Sequence, residues 1–254
     1  MSKVITVTNQ KGGVGKTTTS INVAFYLAKS GKRTLLIDFD PQGNASSGLG
    51  VSKEDLEHTI SDVLLGTIDA NQAICKTDFK HLDLIPSTPQ LADIEVKIAN
   101  AQNRFILLRS AIKSISDNYD YVIIDSPPSL SLLTVNSMIA ANYILLPVQT
   151  EFYALEGVAQ LLETMKLVKK VANPNLSILG VLATMYDKRT SLSSQVLAEI
   201  KKYFKELTFK TTIPRNIRLA EAPSHGAPIG KYDAFSRGAK AYKQLTQEIL
   251  ELTK

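Results

Sequence analysis

Short runs of β-branched and aliphatic residues alternate along the chain with segments whose apolar positions recur at helical spacing. Lys3–Thr8 (KVITVT) reads as a strand that opens into a glycine-rich turn. Thr17–Lys29 places Ile21, Ala24, Phe25 and Ala28 on one helical face, and Ser30-Gly31 closes that helix. Thr34–Ile37 is a second strand, ending on Asp38, and Leu82–Ile85 a third, stopped by Pro86. Arg104–Ser116 has a helical pattern. Tyr121–Ile124 is apolar throughout and ends on Asp125, with Pro127-Pro128 ending any extension. Such runs suit strands covered on both faces, as in parallel sheets. Tyr143–Leu146 and Ile178–Ala183 repeat the type. Between them Val158, Leu161, Leu162, Met165 and Val168 form the apolar stripe of a long helix, and Ser191–Leu207 and Phe235–Leu252 read as two more.

This alternation predicts an α/β fold, a mostly parallel sheet with helices on both faces. With no internal repeat, low-complexity tract or linker-like break, residues 1–254 are expected to form one domain. Composition agrees: 44% hydrophobic and 21% charged residues are ordinary for a globular protein. No apolar run reaches the roughly 18–20 residues that span a bilayer, and the first residues lack a signal-peptide pattern, so a cytoplasmic location is expected. Cys75, the only cysteine, rules out an intramolecular disulfide and argues against a cysteine-bound cluster within one chain. His58, His81 and His225 are scattered without metal-ligand spacing.

Charge sharpens the picture. The net charge is +5, yet Met185–Lys254 carries 13 lysines and arginines against 7 acidic residues, while the preceding residues are nearly balanced. The excess predicts an anionic partner for the last quarter, nucleic acid or anionic lipid.

The strongest local signal is Asn9-Gln10-Lys11-Gly12-Gly13-Val14-Gly15-Lys16-Thr17-Thr18, lying between a predicted strand and a predicted helix. That is the context of a P-loop, in which glycines let backbone N–H groups converge on phosphate oxygens at a helix N-terminus. Lys16 is placed to contact the β- and γ-phosphates of a nucleotide and the Thr17 hydroxyl to ligate Mg²⁺. Where the common pattern has a glycine this chain has Gln10, followed by an additional cation, Lys11. Asp125, at the end of an apolar strand, has the Walker B form. Asp38 and Asp40 alternate along Leu36–Pro41 and so project to one side. Carboxylates beside a polyphosphate are tolerable with Mg²⁺ between them; a solvated turn is the plainer alternative for Asp38 and Asp40.

K-G-G-V-G-K-T-T resembles the deviant Walker A motif of the ParA/MinD class of P-loop ATPases. The resemblance implies ATP as substrate and an ATP-dependent homodimer in which Lys11 reaches the partner's nucleotide. It also implies Asp40 as the residue that orients or activates the attacking water, with Asp38 supporting the Mg²⁺ water shell. Asp40-Pro41-Gln42-Gly43-Asn44, Tyr153-Ala154-Leu155-Glu156-Gly157, Thr184-Met185-Tyr186-Asp187 and Ile213–Pro223 further resemble the chromosome-partitioning branch, ParA or Soj. That branch implies Pro214 and Asn216 near the adenine and a dimer that binds DNA non-specifically only with ATP. A ParB-type centromere-binding partner and a nucleoid-associated location follow from the same likeness. For DNA, Lys188, Arg189, Arg215 and Arg218 are the principal candidates, with Lys201, Lys202 and Lys205 beside them.

Rival readings differ in partner or product. A ParA-like positioner of another cargo shares every motif. A MinD-like membrane cycler needs a basic amphipathic C-terminal helix, whereas Gln247–Lys254 carries Glu248 and Glu251, which oppose anionic lipid, so no stable membrane association is expected. An iron-protein relative needs two bridging cysteines per protomer, and a metabolic ligase needs a dedicated substrate pocket.

Overall fold

The computed structural model describes residues 2–254. Seven strands form one sheet: β1 (Lys3–Val7), β2 (Thr34–Asp38), β3 (Cys75–Lys76), β4 (Leu82–Ile85), β5 (Tyr121–Asp125), β6 (Tyr143–Gln149) and β7 (Ser177–Thr184), in the spatial order β3-β4-β2-β5-β1-β6-β7. Every pairing is parallel except that of the short edge strand β3 with β4. The α/β architecture expected from the alternating pattern is therefore the one observed.

Strand periodicity divides the core. Leu35, Ile37, Val122, Ile124, Ile144 and Leu146 face one layer, which contains the helices Gln90–Ile98, Leu107–Lys113, Leu132–Ala140, Glu156–Val171 and Ser191–Phe204. Ile5, Val7, Leu36, Ile123 and Leu145 face the other, built mainly from the helices Lys16–Lys29 and Arg237–Leu252. Both faces are covered, which is why the strands read as continuous apolar runs rather than alternating ones.

The Arg237–Leu252 helix spends its apolar stripe inside the molecule. Tyr242, Leu245 and Ile249 are buried with the Lys16–Lys29 helix, and the Tyr242 hydroxyl lies 3.1 Å from Thr19 Oγ1. Glu248 accepts hydrogen bonds from the backbone N–H groups of Lys210 and Thr211, at 2.8 and 2.9 Å. No helix among the described residues is long and apolar enough to cross a membrane.

The predicted helix Arg104–Ser116 is shorter than its pattern, occupying Leu107–Lys113. Asn136 explains the late start. Its amide accepts from Leu108 N–H and donates to the Arg104 carbonyl, the i and i−4 groups that a continuous helix would have joined to each other. β6 continues past the predicted Leu146 and through Pro147. It can do so because β1 pairs only with Tyr143–Leu145, so no ladder bond to β1 is lost at the proline.

Candidate nucleotide-binding site

The site lies at the C-terminal edge of the three central strands, where open parallel sheets collect ligand groups. The parallel register sets Asp38 of β2 opposite Asp125 of β5, and Asp125 opposite Val7 of β1, from which the glycine-rich loop departs. Because Asp38 and Asp125 share the parity of Leu36 and Ile123, both point to the layer holding the Lys16–Lys29 helix.

The loop is held from three sides. Asn9 donates to the Pro147 carbonyl at 2.7 Å and accepts from Lys11 N–H at 3.0 Å. Thr184, at the end of β7, donates to the Val14 carbonyl at 2.8 Å. Gly15 adopts φ +87°, a left-handed conformation that a side chain resists, and it begins the helix without a side-chain cap. The first amides of a 14-residue helix are thereby left for a ligand, the arrangement that binds phosphate. Lys16 is buried and donates to the Lys11 carbonyl at 3.0 Å, which folds its ammonium across the loop. Burial lowers its pKa, and the carboxylates of Asp125 and Asp40 work in the opposite direction. The Lys11 ammonium, half-buried, makes no hydrogen bond or ion pair among the described residues.

Asp125 and Asp40 bear on Lys16, and Asp38 lies opposite Asp125 on the neighbouring strand. Asp125 is fully buried and accepts from Ser20 Oγ at 2.8 Å, while its Oδ2 has no hydrogen bond among the described residues. Burial pushes its pKa up to about 8, Asp38 adds to the rise, and the Thr17 and Ser20 hydroxyls oppose it. Asp38 is equally buried; its Oδ2 accepts from both N–H and Oγ of Ser46, each at 2.7 Å. Burial raises Asp38 as well, against the bonds from Ser46. Asp40 is buried at the start of the next loop, where Oδ1 accepts from Gln42 N–H at 2.9 Å. An uncompensated buried carboxylate oxygen on Asp125, next to Thr17, is a donor set that fits a hard cation such as Mg²⁺.

A cavity of about 330 Å³ opens beside the loop, lined by Gly15, Thr18, Thr184, Pro214, Asn216 and Tyr242 among others. Its far wall is an extended segment that runs beside β7: Phe209 N–H donates to Val181, Ile213 N–H to Ala183 and Arg215 N–H to Tyr186. Asn216 Oδ1 is buried there without a hydrogen-bond partner. An unsatisfied amide in an otherwise mainly apolar pocket fits the recognition of a base edge.

Of the basic candidates, Lys188, Arg189 and Arg215 line one cleft with Arg237, and Arg189, Arg215 and Arg218 line a second, again with Arg237. Arg237 was not legible as a candidate in the sequence, being 19 residues beyond Arg218 in an unremarkable helical start. Arg189 is held by a forked pair to Asp187, and Arg218 pairs with Glu221 at 2.9 Å and Asp233 at 3.7 Å. Arg215 and Arg237 form no ion pair among the described residues. Lys201, Lys202 and Lys205 stand apart. They lie at the end of the Ser191–Phe204 helix, which starts near the site and carries them roughly 20 Å away.

A strand–loop–helix phosphate cradle beside buried carboxylates, at the C-terminal edge of a parallel sheet, defines a P-loop nucleotide-binding protein. Comparison with known proteins narrows the class. A family model described as an AAA domain matches residues 2–178. The sporulation initiation inhibitor protein Soj of Bacillus subtilis is 53% identical, over 98% of each chain. The chromosome partitioning protein ParA of Myxococcus xanthus is 46% identical over 99% of this chain and 89% of its own. Among solved structures, cobyrinic acid a,c-diamide synthase from Mycobacterium smegmatis, with bound ATP analogue and magnesium, superposes with a TM-score of 0.90. It is 35% identical, with 100% of this chain and 96% of that one covered. The chain belongs to the ParA/Soj family of chromosome-partitioning ATPases.

Proposed function

We propose that this protein is an ATP-driven switch that dimerises with ATP and Mg²⁺, holds DNA without sequence preference in that state, and releases it on hydrolysis. The observation that carries the reading is one short segment with two faces. Pro214–Ile217 walls the cavity beside the phosphate loop, and Arg215, Asn216 and Ile217 also wall the cleft with Arg189, Arg218 and Arg237. A base seated on one side of this segment bears directly on the arginines of the other.

In this reading the loop amides and Lys16 bind the β- and γ-phosphates, and Asn216 reads the adenine edge. Thr17 would hold the Mg²⁺ that accompanies the nucleotide, with Asp125 and Asp38 around it, and the ion would offset phosphate charge. Asp40 holds the water that attacks the γ-phosphorus in line. Lys11, whose ammonium has no partner among the described residues, is available to the second nucleotide of a dimer. The two protomers together present twice the arginine surface, and the count of phosphate contacts sets the salt dependence. The relatives' names support chromosome partitioning as the setting. The proposal adds a cytoplasmic, nucleoid-associated location and a ParB-type partner that speeds a slow intrinsic ATPase. The anionic lipid alternative is disfavoured by the C-terminal helix, whose apolar face is already buried.

Binding to unrelated DNA duplexes, measured with ATP, with ADP and without nucleotide over a range of salt, tests the proposal. Retention only with ATP, with a steep loss as salt rises, is the expected result; equal retention in all three states overturns it. Arg189→Glu with Arg237→Glu, neither of which lines the base cavity, is expected to abolish retention at unchanged ATP affinity. Asn216→Ala is expected to weaken ATP binding about tenfold and to blur the preference for ATP over GTP, as the loss of one hydrogen bond from a buried amide would. Titration of both nucleotides reads that out.

A further inference from the structure

The Asp38–Ser46 pair does more than satisfy a buried carboxylate. Asp38 accepts from Ser46 through Oδ2 and, at 3.4 Å, from Asp40 N–H through Oδ1, so it touches both ends of the Asp40–Ser46 segment. Ser46 is itself completely buried, and its Oγ accepts from Ser87 N–H at 3.1 Å, which fastens the segment to the residue beyond Pro86 at the end of β4. Between these anchors the chain turns tightly. Gly43 N–H donates to the Asp40 carbonyl at 2.9 Å, and Gly43 has φ +62°, where an added Cβ would stand 2.6 Å from the Ser87 carbonyl oxygen. The turn that aims the Asp40 carboxylate is thus held at its far end by Ser46, whose N–H and hydroxyl both bond Asp38 and whose hydroxyl alone reaches Ser87.

We infer that Ser46 is a positioning residue for ATP hydrolysis, acting through Asp40. It touches neither the phosphate loop nor the base cavity, and its hydroxyl bridges two strand ends by donating to Asp38 and accepting from Ser87. Without that hydroxyl Asp38 loses one of its two strong bonds and the Ser87 amide loses its acceptor. The Asp40 turn is then free to drift by the fraction of an ångström that costs a reaction its alignment. The inference rests on the reading that Asp40 orients the attacking water.

The test is single-turnover hydrolysis alongside nucleotide titration and thermal melting for Ser46→Ala, Asp40→Ala and the double variant. Ser46→Ala is expected to slow hydrolysis about tenfold or more while ATP affinity stays within about twofold, because misalignment acts on the transition state rather than on binding. In the Asp40→Ala background the same change is expected to cost nothing further. Wild-type turnover in folded Ser46→Ala, affinity falling in step with rate, or additive losses in the double variant would each overturn the inference. If Asp40→Ala itself keeps its turnover, the reading beneath it fails instead. Should Ser46→Ala not fold, Ser46→Cys, which keeps the size and weakens the hydrogen bonds, carries the same comparison.

Discussion

Lys16→Ala is expected to lose nucleotide binding itself, with ATP affinity falling about 100-fold. Among the described residues Lys16 is the one lysine buried beside the phosphate loop, and it is folded onto the Lys11 carbonyl at 3.0 Å, a neutral acceptor for which an anionic phosphate oxygen is the stronger replacement. A charge-assisted hydrogen bond in such a site contributes about 1.5–3 kcal/mol, and each 1.4 kcal/mol is a factor of about ten. The loss is amplified because the same ammonium offsets Asp125 and Asp40; without it those carboxylates face the incoming polyphosphate alone. Titration with a fluorescent ATP analogue measures the effect directly. Affinity and turnover both close to wild type would mean that the nucleotide sits elsewhere. Wild-type affinity with slowed turnover would mean that Lys16 acts only on the transition state.

Much of this site was legible before the fold was known, for reasons that differ from residue to residue. The phosphate loop is contiguous, so its chemistry lies in ten consecutive letters. Asp38 and Asp125 could be read because each ends an apolar run, and in a parallel sheet strand ends become neighbours; the observed pairing of Asp38 with Asp125 is that rule realised. Leu82–Ile85 matched its strand residue for residue, and Pro86 is the stop that marks its end. The unread parts are those set by tertiary partners. The helix Asn44–Gly48 is too short for a periodic signal, and its place is determined by Ser46 on Asp38. Asn136 shortens a helix 28 residues away in sequence through its bond to Leu108. Arg237 joins Arg189 and Arg215 only because residues 209–215 run beside β7. The base cavity likewise could not be read from Pro-Arg-Asn as letters. Asn216 became a candidate through resemblance, and its buried, unpartnered Oδ1 is the independent physical reason to keep it.

The structural likeness to a diamide synthase raises the question of whether ATP here drives a synthesis. Similarity of fold does not answer it, because function resides in the site rather than the scaffold. Sequence similarity along the full chain is greater to Soj, at 53% against 35%. The readout we propose is also a surface, the arginine-lined clefts outside the cavity beside the phosphate loop. Product analysis that finds only ADP and phosphate agrees with a switch.

The consequence of that distinction is largest at Asp40. Asp40→Ala is expected to bind ATP with near wild-type affinity and to hydrolyse it at least about 100-fold more slowly, the range expected on removing a positioned base. Asp38 already accepts two short bonds from Ser46, and Asp125 lies at the strand end beside Thr17, suited to the metal. Asp40 is the carboxylate that remains: its Oδ1 is fixed by Gln42 N–H, Oδ2 accepts no hydrogen bond among the described residues, and its charge is felt by both Lys16 and Asp125. Phosphate release measures the rate. If the protein is a switch, slowing the chemistry also changes the population of states. Asp40→Ala with ATP is expected to sediment as a dimer and to remain on DNA long after the wild-type protein has dissociated. A ligase with the same substitution would simply stop making product, with no long-lived DNA complex. Rapid turnover in Asp40→Ala would remove this residue from the reaction. Slow turnover without a persistent dimer would separate hydrolysis from the state it is proposed to end.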